Sequence, residues 1–130
     1  MIIDSSVIVA ILRREREADA MADAIEEASI RRISAVSYVE AAVVIDSRHD
    51  PILSRGFDDL LFRTHTIIEG VTPEQAILAR EAYRDFGKGR HKAGLNLGDC
   101  FAYALAKEKG EPLLFKGDDF RKTDVEPAEY

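Results

Sequence analysis

The sequence predicts an α/β fold in three layers, a single domain with helices on both faces of a mainly parallel sheet of four to five strands. Three observations predict it. Short apolar runs with strand character alternate with longer amphipathic stretches, the pattern of repeated βαβ units. The chain is 130 residues long, enough for one domain and not for two. Its hydrophobic fraction is 46%, which excludes a disordered or low-complexity chain.

Met1-Ile2-Ile3 is a short apolar run that ends at an acid, a buried strand. Asp4-Ser5-Ser6 then offers N-cap chemistry to an apolar helix from about Val7 to Leu12. From Glu15 to Ala28 the apolar residues Ala18, Met21, Ala22 and Ile25 fall at helical spacing. Arg31 to Ala35 is a short second strand, and a helix runs from Ser37 to about Ser47. Asp50-Pro51 breaks the chain, and a helix follows from about Ile52 to Arg63. Thr66 to Glu69 has strand composition. Thr72-Pro73-Glu74 opens a helix that fades by Gly87. The last helix spans about Asp99 to Lys109 and stops at Gly110; Pro112 to Phe115 is a further strand, and Gly117-Asp118-Asp119 a turn.

Eighteen basic against 24 acidic side chains leave a net charge of −6, which argues against grip on nucleic acid by bulk electrostatics. The charge is uneven, however. Arg84 to Lys92 carries four positive charges and one negative. One cysteine excludes an internal disulfide and points to a reducing compartment. Met1-Ile2-Ile3 meets Asp4 with no basic segment before it, and the run Val7–Leu12 is too short to span a bilayer, so neither secretion nor a membrane is expected.

Five acids stand out. Asp4 ends the first strand, although a cap for the next helix explains it as well. Glu40 lies in Tyr38-Val39-Glu40-Ala41-Ala42-Val43-Val44-Ile45, apolar nearly all round; a carboxylate there must be paired, protonated or bound to a cation. Asp99 opens an apolar helix, where the helix dipole alone favours an acid. Asp118 and Asp119 sit in a turn that readily takes Asp. Together they say more. Asp4 and Asp118 lie beyond the carboxyl ends of two strands, where open α/β sheets place their sites. Several carboxylates in one pocket repel unless a cation neutralises them, and oxygen-only donors select Mg²⁺ or Mn²⁺. A phosphate loop, HExxH, paired cysteines and G-x-S-x-G are all missing. His49, His65 and His91 read as solvated surface residues.

In register, Met1-Ile2-Ile3-Asp4-Ser5-Ser6, Ser37-Tyr38-Val39-Glu40, Leu95-Asn96-Leu97-Gly98-Asp99-Cys100 and Leu114-Phe115-Lys116-Gly117-Asp118-Asp119-Phe120 resemble a PIN domain over essentially the whole chain. More narrowly they resemble the VapC toxins of bacterial type II toxin–antitoxin pairs, one subgroup of which carries a stretch like Lys88 to Asn96. The resemblance implies a cytoplasmic, metal-dependent endoribonuclease with Mg²⁺ or Mn²⁺. Asp4 and Asp99 would be the core metal ligands, with Glu40 and Asp118 bound directly or through water. Asp118 is the preferred fourth acid and Asp119 a cap or turn residue. Ser6 would orient a ligand or contact phosphate, and Asn96 matches the polar position ahead of Gly98-Asp99. Lys88, Arg90 and Lys92 would hold RNA phosphates, although a charge run is commonly a solvated loop. Implied partners are an RNA (a tRNA or another structured RNA), a VapB-like antitoxin and a second copy of the chain. Val9, Leu12, Met21 and Ile25 are either core or a groove for an antitoxin segment.

Two rival readings remain. A catalytically silent PIN-like binding module would keep the acids without the geometry. A receiver-like phosphoacceptor domain fits poorly, since two serines follow Asp4 and Ile67-Ile68-Glu69-Gly70 has no acceptor Asp.

Overall fold

A computed structural model describes all of residues 1–130. The strands are β1 (Ile2–Ile3), β2 (Arg32–Ser34), β3 (Ile67–Glu69) and β4 (Leu113–Leu114). The helices are α1 (Ser5–Leu12), α2 (Ala18–Glu27), α3 (Ala35–Asp46), α4 (Pro51–Arg63), α5 (Pro73–Phe86) and α6 (Leu97–Lys109), followed by a 3-10 turn at Phe120–Lys122. Every expected element is present, with ends displaced by local capping chemistry. Asp4 caps α1, so that helix begins at Ser5. Ser34 caps α3, which therefore begins at Ala35, ahead of the expected Ser37. Asp50 and Thr72 cap α4 and α5, each with a proline in the first turn. α2 starts at Ala18, three residues later than expected, and Glu17 gives it no side-chain cap. Gly110 ends α6 at φ +63°, a conformation that favours glycine.

The four strands form one all-parallel sheet in the order β3-β2-β1-β4. Alternation along the strands divides the core in two. Ile2 and Leu113 join the cluster under α5 and α6, whereas Ile3, Ile33 and Leu114 join the cluster under α1 to α4. Each of these five side chains is fully buried and is worth about 1.5–3 kcal/mol of apolar transfer. Met21 and Ile25 also belong to the core, so of the four positions left open they are not groove residues.

Strand order also places the site. The chain steps from β1 to β2 to β3 in one direction and then returns to lay β4 on the other side of β1. The two successions diverge between β1 and β4, and the crevice at their carboxyl ends is where such sheets bind ligands.

Candidate active site

Asp4 follows β1 directly. Its backbone N–H donates to Leu114 O at 2.9 Å, extending the pairing with β4. The residue is 3% exposed. Oδ2 accepts from Ser6 N–H at 3.1 Å and from Ser6 Oγ at 2.6 Å; Oδ1 is buried with no partner. Burial pushes this carboxyl above its ordinary pKa, against the opposing hydrogen bonds from Ser6.

Ser6 joins the two strand ends. While its hydroxyl donates to Asp4, it accepts from Lys116 N–H at 3.0 Å. The Lys116 side chain in turn pairs with Glu15 and, at 3.5 Å, with Glu17. The segment leaving β4 is thereby tied to α1 and to the loop before α2.

Glu40 reaches the same edge from the first half of α3. The expectation of a wholly buried helix is corrected here. Val39 and Val43 are 55% and 62% exposed, so one face of α3 is apolar and open, and Glu40 lies half-buried beside it. Its carboxylate rests on Gly98 of α6. Burial, followed by the charges of Asp4 and Asp99, raises its pKa to about 7. Glu40 Oε1 is buried without a partner, as is the Ser37 hydroxyl one turn earlier on the same helix.

Asp99 is the third residue of α6, which begins at Leu97, two places before the expected start at Asp99. Asn96 caps the helix and accepts from Asp99 N–H at 2.8 Å, while Asp99 Oδ2 accepts from Asn96 N–H at 3.0 Å. This reciprocal capping box orients Asp99 through Asn96. Burial raises the Asp99 pKa to about 6; the Asn96 hydrogen bond opposes the rise, and the charges of Asp4 and Asp119 add to it. Cys100 stays a neutral thiol, because burial and then the charge of Asp99 push it up to about 11.

The two candidates for the fourth acid, Asp118 and Asp119, are both exposed. The charge of Asp119, not that of Asp118, acts on Asp99. Gly117 turns the chain at φ +92°, and Asp118 is exposed, its carbonyl accepting from Arg121 N–H.

The basic loop is held between α5 and α6 by Lys88 N–H to Leu95 O, at 2.9 Å, and leads straight into the Asn96 cap. Lys88, Arg90 and Lys92 are exposed and make no ion pair, and Arg90 lies over the Tyr83 ring at 5.3 Å. His49 and His65 are exposed as expected. His91 is not a solvated residue: it is partly buried, its Nδ1 accepts from Ala93 N–H, and its ring packs edge-on against Phe86.

The donors around Asp4 suit a hard divalent cation. They are all oxygens, and the unpartnered Asp4 Oδ1 and Glu40 Oε1 are the groups such an ion would satisfy. As placed, no three acidic, His or Cys side chains close into a ready ligand set, and the acids act on one another through charge. Sequence reasoning missed two features of the site. The Lys116 pairing with Glu15 and Glu17 left no signal in spacing. Gly98 left one faint trace, a glycine inside a helix where alanine would be more stable.

Known proteins agree with this architecture. The PIN domain family model matches residues 1–126. Ribonuclease VapC28 of Mycobacterium tuberculosis is 54% identical over 129 residues, covering 98% of this chain and 97% of that protein. Ribonuclease VapC of Mycolicibacterium smegmatis is 50% identical over 125 residues, covering 96% and 97%. Among solved structures, M. tuberculosis VapC20, described as a sarcin-ricin loop cleaving toxin, shares the fold with a TM-score of 0.69 at 16% identity, covering 97% of this chain and 98% of that one. A toxin–antitoxin complex from Klebsiella pneumoniae gives 0.70 at 18% identity, covering 95% and 92%. With the acids at the β1–β4 crevice and half-identity along nearly its full length, the chain belongs to the PIN-domain family and, within it, to the VapC ribonucleases.

Proposed function

We propose that this protein is a Mg²⁺- or Mn²⁺-dependent endoribonuclease acting in the bacterial cytoplasm as the toxin of a toxin–antitoxin pair. The observation that carries the reading is the group of carboxyls at Asp4, Glu40 and Asp99, all raised first by burial, with Asp4 and Glu40 holding buried, unpartnered oxygens. Asp4 and Asp99 are assigned as direct ligands, and Glu40 and Asp119 as ligands or as acceptors from bound water. Asp119 replaces Asp118 because its charge reaches Asp99.

A divalent ion held there supplies positive charge against the scissile phosphate and acidifies water at neutral pH. The protein's own groups do the rest. Ser6 and Asn96 hold Asp4 and Asp99 in fixed orientations. Glu40, poised near neutrality, accepts a proton from water that attacks the phosphorus, while the bond from phosphorus to one ribose oxygen breaks and that oxygen leaves and takes up a proton from solvent. Lys88, Arg90 and Lys92 hold flanking phosphates, a local exception to the chain's net charge.

The exposed valines of α3 support a homodimer, since an apolar face of this kind marks an interaction surface. A cavity of about 470 Å³ beside Ile11, Ala22 and Leu60, between α1, α2 and α4, supports a site for an antitoxin segment.

The test is cleavage of a defined single-stranded RNA and a tRNA pool by purified protein with Mg²⁺ or Mn²⁺. EDTA and Asp4→Asn serve as controls. Cutting that needs the ion and is lost in both controls is expected. Ion binding without cleavage of any RNA, including total RNA from the source cell, would overturn the nuclease in favour of a silent binding module.

A further inference from the structure

Gly98 stands in α6 immediately before Asp99, and the site it occupies has an unusual property. A Cβ built on its backbone meets three atoms first, and all three belong to the Glu40 carboxyl group: Oε2, Cδ and Oε1. Each lies inside 3.0 Å, a separation that real Cβ atoms do not show. No backbone or core atom comes nearer than these, and φ at this residue lies outside the left-handed range. The Glu40 carboxylate is thus the first obstacle a side chain would meet here, and backbone conformation does not ask for glycine. Helix propensity argues against it, at a cost of about 1 kcal/mol relative to alanine.

We infer that Gly98 is a positioning residue: its bare backbone is the seat of the Glu40 carboxylate, and the missing side chain fixes how far α3 can push that carboxylate toward Asp4 and Asp99. The inference rests on the reading of Glu40 as a functional acid. The clash lies at the far end of a flexible side chain, so a methyl group at Gly98 is relieved by rotating Glu40 away until the separation reaches 3.4 Å or more. Folding is spared and placement of the acid is lost. Gly98 acts through Glu40, whose carboxyl atoms are the nearest to its missing Cβ.

The experiment compares Gly98→Ala, Glu40→Ala and the double variant by Mn²⁺ calorimetry, together with metal-free crystal structures of the wild type and Gly98→Ala. Gly98→Ala should fold and melt close to wild type while losing about tenfold to a hundredfold in Mn²⁺ affinity, the usual effect of disturbing a group that orients ligands. The same substitution made in Glu40→Ala should change Mn²⁺ affinity no further, because the residue it acts through is gone. Glu40→Asp, one methylene shorter, should restore part of the loss in Gly98→Ala. The metal-free crystals should show the Glu40 carboxylate on Gly98 in the wild type and withdrawn from it in the variant.

Unchanged Mn²⁺ affinity in Gly98→Ala would overturn the inference. So would an equal loss with and without the Glu40 side chain, or a wild-type carboxylate lying away from Gly98. The crystal comparison needs neither ion nor RNA, so it reports on the seat even if the nuclease reading fails. If Gly98→Ala alone does not fold, rescue of folding in the double variant supports the same seat, and failure of both overturns it.

Discussion

The Ser6 hydroxyl donates to Asp4 Oδ2 at 2.6 Å while accepting from the backbone N–H of Lys116 at 3.0 Å. One side chain thus holds an acid at the end of β1 against the chain leaving β4, across the divergence of strand order. Ser6→Ala removes both bonds but leaves the backbone donor of residue 6 in place. The variant should lose about 1–2 kcal/mol of stability by urea denaturation. It should also cleave RNA more slowly than wild type at equal Mn²⁺, with the deficit narrowing as Mn²⁺ is raised.

Asp118→Asn and Asp119→Asn separate the two neighbouring acids. Because the charge of Asp119 bears on Asp99, Asp119→Asn should lower the Asp99 pKa and weaken Mn²⁺ binding by about tenfold or more. Asp118→Asn should leave both close to wild type. Calorimetry at fixed pH reads the difference, and equal effects would return Asp118 to the site.

Stability of the metal-free protein should fall as pH rises from 5 to 8. Glu40 and Asp99 titrate near 7 and 6 in the folded state, above their ordinary values of 4.5 and 3.8. In that window the folded state holds protons that the unfolded chain has released, so unfolding is favoured as pH climbs through the folded values, with the raised Asp4 carboxyl acting in the same direction. Glu108 and Asp124, held low by hydrogen bonds from Thr72 and Tyr103, contribute only under more acidic conditions. Saturating Mn²⁺ at pH 8 should recover the lost melting temperature, since it binds the folded state alone. A melting temperature that rises from pH 5 to 8 without metal would contradict the raised carboxyls.

Lys88→Ala, Arg90→Ala and Lys92→Ala, each made in an Asp4→Asn background to prevent cleavage, should weaken RNA binding. Removing one phosphate-binding side chain should reduce the slope of log K against log salt by about 0.7 for a single strand. Mn²⁺ affinity, measured in the wild-type background, should not move. An unchanged salt slope in all three would leave the loop as a solvated surface.

Val43→Glu tests the open face of α3. The residue is 62% exposed, so the monomer should melt close to wild type. Light scattering should show a dimer in the wild type and a monomer in the variant. A monomeric wild type would remove the second copy from that face.

Local sequence was enough for the elements and for most of the acids. Alternating short apolar runs and helical stretches gave away the βαβ pattern, and caps such as Asn96 and Thr72 are local signals. Asp4 stood out only in company, as an acid beyond a strand's carboxyl end, and Glu40 because a lone carboxylate interrupts an apolar helix. What neighbours what is a matter of the assembled fold. The order β3-β2-β1-β4 opens the crevice at β1 and β4, and no local pattern encodes it. Which of two adjacent acids brings its charge to Asp99 is likewise a matter of the folded chain. The open valine face of α3 has the same composition as a buried one, so exposure had to be seen rather than read. Gly98 and Glu40 lie far apart in sequence, so the glycine's one local mark, its place inside a helix, does not name the carboxylate it meets. Periodicity and capping are set by bonds among near neighbours in the chain, whereas the site is set by contacts between elements that meet only once the sheet has formed.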